Sequence, residues 1–222
     1  MSKIEIACFN HVSAIVAFEN GADRIELCDG FEKGGTTPEF ELTKGVRKLI
    51  TIPIYVMIRP RGGDFLYTNA EFQQMKMDII KFKTLNVDGF VFGILDENHQ
   101  VNVAQNKELV ELAQPFPCTF HRAFDRAIGL KETLENVIEC GFSTILTSGQ
   151  KPNVVEGKEY LKKLVEWSDN RIEILVGGGL RSGNCKDIRE YTNANFFHSS
   201  AIIDNGNFAN PSEIKALKKA LQ

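Results

Sequence analysis

The sequence of 222 residues lacks any apolar run of the about 20 residues that a membrane-spanning helix needs. Its N-terminal MSKIEIACF shows no long apolar segment followed by a small-residue cleavage site. The net charge of −3 leaves no surplus of Lys and Arg for phosphate contacts. We therefore expect a cytoplasmic protein that binds neither a membrane nor nucleic acid.

A CxxC pair is also missing. The five cysteines form an odd set without the close ligand pairs of structural zinc sites, which argues against both a zinc site and a disulfide framework. Reduced thiols in the cytoplasm are the better interpretation. These residues are Cys8, Cys28, Cys118, Cys140 and Cys185.

No low-complexity or Pro/Ser-rich linker divides the chain, so residues 1–222 are interpreted as one domain. With 43% hydrophobic and 25% charged residues, the composition is that of a globular protein with a sizeable core. What the chain contains in quantity is an alternation of two periodicities, apolar strand-like runs followed by segments of helical spacing.

Eight strand-then-helix units can be distinguished. The predicted strands cover 4–9, 24–28, 54–58, 87–94, 118–121, 143–148, 173–179 and 195–200. The predicted helices cover 12–20, 39–49, 69–85, 107–113, 130–140, 156–167, 184–191 and 211–221, the second of them with Thr37 as its cap.

Eight such units close most naturally into an α/β fold of the (β/α)8, TIM-type barrel class. An open doubly wound sheet is the competitor. That fold should carry a GxGxxG turn after its first strand, where this chain has Asn10 and His11.

Polar residues fall at the carboxyl ends of the predicted strands, where barrels build their sites. The segment MIRPRGGDF ends one strand, and GGG and HSS end the last two. Turns of small residues at the latter positions hold phosphate in many barrels, although GGG could equally be a tight turn. The candidate ligand-binding residues are Arg59, Arg61, Asp64, Arg122, Ser148, Gly177, Gly178, Gly179, His198, Ser199 and Ser200.

Strand parity indicates which side chains share a face. If the charged faces line the barrel, Glu5, Glu26, Arg59 and His121 form an interior network that is either structural or catalytic. The same parity directs Cys28 inward and Cys8 toward the helices.

The segments RIELC with GGTTP, MIRPRGGDF, DGFVFG, TFHRAFD, LTSG, GGGL and FFHSS resemble the copper homeostasis protein CutC family over strands two to eight. The resemblance implies a TIM-type barrel, a cytoplasmic homo-oligomer (dimer or tetramer) and a role in copper homeostasis through Cu(I) binding. It places the copper ligands at Cys8 and Cys28, and thiolates suit Cu(I). Two buried free cysteines that pack as small hydrophobes are the alternative.

Two functions therefore stand as predictions. The first is copper homeostasis, with copper as Cu(I) the bound species. The alternative is a barrel enzyme acting on a small anionic or phosphorylated metabolite at the carboxyl end of the barrel. In that case His121 with Asp125 or Glu26 would transfer protons, since arginines beside histidine and carboxylates favour anion chemistry over soft-metal chemistry.

Overall fold

The structure, a computed structural model, describes residues 2–203 and 206–222. Its eight parallel strands pair in chain order, and the last strand pairs with the first, which closes a barrel. The strands are β1 Lys3–Cys8, β2 Arg24–Leu27, β3 Ile54–Met57, β4 Gly89–Phe92, β5 Cys118–Phe120, β6 Thr144–Thr147, β7 Glu173–Gly177 and β8 Phe196–Ser199. The predicted (β/α)8 barrel is confirmed.

A helix follows each strand and covers the outside of the barrel. The helices are α1 His11–Glu19, α2 Phe40–Leu49, α3 Asn69–Lys83, α4 Val103–Ala113, α5 Leu130–Glu139, α6 Lys158–Ser168, α7 Ser182–Thr192 and α8 Pro211–Ala220, with short 3-10 turns at Phe31–Lys33 and Arg122–Arg126. None of the helices in the described ranges combines the length and the apolarity needed to cross a membrane.

One predicted helix start and one predicted cap are wrong. α4 begins at Val103 instead of residue 107, since the Asn102 side chain accepts a hydrogen bond from the Gln105 N–H at 3.1 Å. Thr37 does not cap α2. Its hydroxyl accepts from the Arg59 N–H at 2.8 Å and so fastens the loop after β2 to the end of β3.

Side chains alternate between the two faces of the barrel wall. The outward-facing residues of the strands, such as Ile54 and Val56 in β3, pack with the helices in the main hydrophobic core. The inward-facing residues of the same strand, Tyr55 and Met57, pack with Cys28 and Val91 inside the barrel. The barrel interior therefore has its own packing, and the polar side chains described below lie above it and beside it.

Candidate active site at the barrel mouth

A cavity of about 220 Å³ opens at the carboxyl ends of the strands. We call it the mouth cavity. Three arginines line it, and Glu26 is the acid among its described lining residues. Its lining includes Phe9, Glu26, Phe31, Met57, Arg59, Phe65, His121, Arg122, Gly178, Gly179, Leu180, Arg181, His198, Ser199 and Ser200. Seven of the eight strand ends or the loops after them thus contribute, β6 through Leu146, as a barrel site requires.

A buried polar network lies at the inner side of this cavity. His198 Nδ1 is 2.7 Å from Glu5 Oε1, and Arg24 Nε donates to Glu5 Oε2. His198 Nε2 lies 4.0 Å from Glu26 Oε2. The Arg24 guanidinium is also 3.9 Å from the Tyr55 ring centroid and 4.4 Å from that of Phe196, so it is stacked between two aromatic rings. We refer to Glu5, Arg24, Glu26 and His198 as the carboxylate network.

The network shifts the pKa values of its two glutamates in opposite directions. Burial alone would raise the pKa of Glu5, but the Arg24 guanidinium and His198 outweigh it and hold that pKa at about 2. Glu26 lacks a direct cation contact, so burial raises its pKa above the usual range. Burial opposes protonation of His198, yet Glu26 and Glu5 together raise its pKa. Glu5 is therefore a fixed charge, while Glu26 is the more basic of the two carboxylates.

The predicted network of Glu5, Glu26, Arg59 and His121 is therefore right in its two glutamates and wrong in their basic partners. The two glutamates do face the interior, but their partners are Arg24 and His198. The sequence analysis did not single out Arg24, although its position two residues before Glu26 on β2 places it on the same inward face.

Arg59 supports two loops. Its guanidinium donates to the carbonyl oxygens of Lys33, Gly34 and Gly35 at 3.0, 3.1 and 2.9 Å, and to that of Gly63 at 3.0 Å. Carbonyl acceptors therefore already take much of its hydrogen-bonding capacity. Its side chain lines the mouth cavity but mainly holds the β2–α2 and β3–α3 loops in place.

Arg61 and Asp64 do not reach the mouth cavity. Arg61 pairs with Asp64 at 2.8 Å and with Glu71 at 2.6 Å on the outer side of the β3–α3 loop. Both residues were predicted to bind the ligand because they follow a strand. The glycine turn at 62–63 instead carries them over the rim and toward the first turn of α3.

Asp125 and Ser148 also lie behind the cavity wall. The Asp125 carboxylate accepts hydrogen bonds from Arg122 Nε at 2.8 Å, from the Thr147 hydroxyl at 2.5 Å and from the Ser148 N–H at 3.1 Å. These contacts position Arg122 and tie the turn after β5 to the end of β6. Neither side chain lines the mouth cavity, and Gly177, which lies within β7, does not line it either.

His121 lies directly on the cavity with a neutral ring. Burial, together with the nearby Arg59 charge, lowers its pKa to about 3. Its Nδ1 accepts a hydrogen bond from the Ala123 N–H at 3.3 Å, and the Phe65 ring packs against it with centroids 4.7 Å apart. The residue therefore ends β5 as an uncharged imidazole that is shielded on one side from water.

The opposite side of the cavity consists of the turns after β7 and β8. Gly178 has φ +108°, and a Cβ there would lie 3.0 Å from the Arg122 guanidinium carbon, so the turn requires glycine. Among the described residues, no acceptor is found for the N–H groups of Gly178 and Gly179. Arg181, which the sequence analysis missed, occupies the cap position of α7 and donates to Ser199 Oγ at 3.1 Å.

The predicted copper ligands face opposite sides of the barrel wall, as parity indicated. Cys8 belongs to the outer core and donates to the Ile6 carbonyl at 3.5 Å, whereas Cys28 lies inside and donates to Glu26 Oε2 at 3.4 Å. Burial and the nearby Glu26 raise the pKa of both thiols well above the usual range, which disfavours the thiolate that binds Cu(I). The two residues thus do not form a ready-made Cu(I) site, and neither lines the mouth cavity.

A different group of possible metal ligands does meet in space. One ligand atom from each of Glu5, Glu26 and His198 lies within 4.8 Å of the others. Two oxygens and one nitrogen suit a harder cation than Cu(I). The two oxygens of Glu5, however, are already bound to the Arg24 guanidinium and the His198 imidazole, which compete with any metal there.

The fold and the site define a (β/α)8-barrel protein whose mouth cavity is lined by three arginines. The CutC family model matches residues 2–203. The copper homeostasis protein cutC homolog of Homo sapiens is 41% identical over 198 residues, which are 89% of this chain and 72% of the human one. A family protein CutC of Parabacteroides distasonis is 44% identical over 199 residues, 89% of this chain and 82% of that one.

Solved structures agree with these relatives. The CutC crystal structure from Streptococcus agalactiae superposes with a TM-score of 0.85 at 33% identity and covers 90% of this chain and 99% of its own. The chain therefore belongs to the CutC family, which confirms the resemblance seen in its motifs.

Proposed function

We propose that this protein takes part in copper homeostasis, the role that the names of its relatives give, and that its molecular activity is the binding and conversion of a small phosphorylated metabolite in the mouth cavity. The names of the human relative and of the Streptococcus agalactiae structure support the first part. The arrangement of N–H donors and arginines at the mouth supports the second.

The observation that carries the second part is a cradle of hydrogen-bond donors after β7 and β8. The Gly178 and Gly179 N–H groups have no acceptor in the described residues, and the Arg122 guanidinium lies next to Gly178. Arg181 lines the same cavity, although its guanidinium also donates to the Leu180 and Ile202 carbonyls at 2.7 and 3.0 Å. The N-terminus of α7 follows, but it is not part of the cradle, because the Ser182 N–H and hydroxyl already donate to the Glu213 carboxylate, each at 2.7 Å. A dianion fits these donors, and barrels commonly bind phosphate at this position.

Titration with inorganic phosphate, followed by amide chemical shifts, tests the cradle. We expect the largest shifts at Gly178 and Gly179, and an affinity weakened about ten-fold in Arg122→Gln, because one charge-assisted hydrogen bond is lost. Arg126→Gln is the matched control, since Arg126 lies in the same short turn but is exposed away from the mouth cavity. Equal weakening in both variants, or shifts confined to another surface, would contradict the proposal.

The second candidate activity is direct Cu(I) binding by Cys8 and Cys28, with Cu(I) as the cargo. The relatives' names favour it. For this activity the end of β1 would have to twist so that the Cys8 sulfur turns through the barrel wall, and both thiols would have to lose their protons. A cytoplasmic location and a homo-oligomeric state belong to the same proposal. The first is supported by five buried free cysteines, which suit a reducing compartment.

Anaerobic Cu(I) competition against a chelator of known affinity separates the two activities. Direct binding requires that the Cys8→Ser, Cys28→Ser double variant lose most of its affinity while Cys185→Ser, a change of an equally buried cysteine in α7, retains it. If the double variant keeps the wild-type affinity, the thiols are not the ligands. Light scattering of the same samples reports the oligomeric state.

A further inference from the structure

Three side chains that line the mouth cavity have a buried polar atom without a hydrogen-bond partner in the described part of the chain: Arg59 Nε, Glu26 Oε1 and His121 Nε2. The Arg59 guanidinium already donates to loop carbonyls through its other nitrogens, so the atoms to explain are those of Glu26 and His121. Both residues are only 3% exposed, and both line the mouth cavity. An unpaired buried polar atom is costly, so such atoms are kept where a ligand completes the hydrogen bond. The two atoms therefore indicate what the ligand must offer.

The chemistry of the His121 atom follows from its ring. Nδ1 accepts the Ala123 N–H, so it carries no proton, and the neutral ring must carry its proton on Nε2. His121 Nε2 is thus a hydrogen-bond donor that needs an acceptor. Phe65 covers the ring and lies between it and the Arg59 guanidinium, with centroid distances of 4.7 Å to each. A ligand oxygen that meets this N–H is therefore shielded from bulk water on that side.

Glu26 offers the opposite chemistry. Its Oε2 contacts the Cys28 thiol at 3.4 Å and faces His198 Nε2 at 4.0 Å, while Oε1 is left for the cavity. His198 is held by Glu5, which is itself paired with Arg24. The free Oε1 can therefore accept a proton from a bound ligand. A proton acceptor and a neutral donor thus share a cavity with the phosphate cradle.

We propose that the mouth cavity catalyses enolisation of a small phosphorylated hydroxycarbonyl compound, with Glu26 as the base and His121 as the donor to the carbonyl oxygen. This inference rests on the phosphate site proposed above. The cavity of about 220 Å³ has room for the reacting carbons and the phosphate of a small metabolite.

The step balances within these groups. Glu26 Oε1 takes a proton from the carbon next to the carbonyl, and the electron pair of that C–H bond forms a carbon–carbon double bond. The π electrons of the carbonyl move to its oxygen, and His121 Nε2–H donates a hydrogen bond to the resulting enolate oxygen. Glu26 then returns a proton to carbon. No oxidant, reductant or metal takes part, and a neutral imidazole avoids overstabilising the enolate as a permanent ion pair.

Hydrogen–deuterium exchange at carbon tests the proposal. Dihydroxyacetone phosphate and ribulose 5-phosphate are the probes, in D2O, with protein purified from a host that lacks triosephosphate isomerase and pentose phosphate isomerases. We expect deuterium to enter at the carbon next to the carbonyl of at least one probe, about 100-fold faster than in buffer. Exchange should fall about 100-fold in Glu26→Gln and in His121→Gln, and stay unchanged in Arg126→Gln.

Binding of 2-phosphoglycolate, measured by calorimetry on the same proteins, distinguishes the two levels of the argument. This compound carries a phosphate and a carboxylate in place of the enolate. If wild type binds it at the mouth but both probes exchange at the buffer rate, enolisation is overturned and the phosphate site stands. If neither 2-phosphoglycolate nor inorganic phosphate binds, the proposed function fails as well. Full exchange in Glu26→Gln with binding retained would remove Glu26 as the base.

Discussion

His198 Nδ1 lies 2.7 Å from Glu5 Oε1, and this contact joins the last strand of the barrel to the first. The two residues are also register partners in the β1–β8 pairing, where the backbone ladder closes the barrel. The side-chain contact therefore reinforces the closure at the level of the polar interior. It also connects the carboxylate network to the pairing between the first and the last strand.

Glu5→Gln should destabilise the protein by about 3 to 5 kcal/mol, because the change leaves the buried Arg24 and His198 without their counter-charge. Urea unfolding measures the free energy directly. Glu108→Gln is the control, since the Glu108–Lys76 pair is largely solvent-exposed and should contribute less than about 1 kcal/mol. Similar losses of unfolding free energy in both variants would mean that the carboxylate network stabilises the fold no more than the Glu108–Lys76 pair does.

Lowering the pH should destabilise the protein, because His121 is held neutral in the folded state. Its pKa is about 3 in the folded protein, against 6.5 for an ordinary histidine, so the unfolded chain takes up its proton first. The contribution of this lowered pKa to the free energy of unfolding is fully present above pH 6.5 and is lost as the pH falls toward 3. Between pH 7 and pH 5 it should therefore decrease by about 2 kcal/mol.

The comparison that isolates this effect is wild type against His121→Gln. His198 shifts in the opposite direction, since its raised pKa adds stability as the pH falls, but it is present in both proteins and cancels. The pH 7 to pH 5 difference in unfolding free energy should be about 2 kcal/mol larger for wild type. His99→Asn, at an exposed loop position, should leave that difference as in wild type. A wild-type-like profile in His121→Gln would show that the ring is not held neutral.

Gly93→Ala should destabilise the mouth. A Cβ at Gly93 would lie 2.8 Å from His121 Nδ1 and 3.0 Å from Phe120 Cε2, so the imidazole would have to leave its place beside the Ala123 N–H. Overpacking of this kind costs about 1 to 3 kcal/mol. Gly45→Ala, in exposed helix α2 with no atom within 4 Å of the added Cβ, should instead stabilise by about 0.5 to 1 kcal/mol. Thermal melts of the two variants should move in opposite directions.

The thiols should be unreactive in the native protein. All five cysteines are buried, and burial raises the pKa of Cys118, Cys140 and Cys185 to about 12. Labelling by a chromogenic disulfide reagent should be about 100-fold slower than in denaturant, because the thiolate forms only after local opening. One cysteine that reacts at once in the native state, above all Cys8 or Cys28, would favour the copper-binding candidate.

The alternation of apolar runs and helical spacing was enough to predict the barrel, since each unit follows from local pattern and short connections. Parity likewise placed Glu5, Glu26, His121 and Cys28 on the inner face. What pattern could not supply was the partner of each charge. Arg59 follows a strand just as Arg122 does, yet its guanidinium is bound by loop carbonyls whose position depends on the fold of the preceding segment.

The same limit explains the residues that were assigned to the wrong place. Arg61 and Asp64 satisfy one another across a glycine turn, and that turn direction is a backbone property that letter spacing does not encode. Arg181 lies four residues after the end of β7, and the sequence analysis missed it because the neighbouring GGG motif already explained that turn. The Asn102 and Gln105 pair, by contrast, is a capping signal that a closer reading of the sequence would have found.

Arg24 is buried between the Tyr55 and Phe196 rings beside Glu5, its register partner. If these side chains close that end of the barrel, the carboxylate network opens toward the mouth cavity alone. A metabolite would then enter and depart along one route, so each product has to diffuse out before the next molecule can dock. Product release from such a cavity would require the loops held by Arg59 to open. Weakening the Arg59 hydrogen bonds would therefore speed product release and also weaken substrate binding.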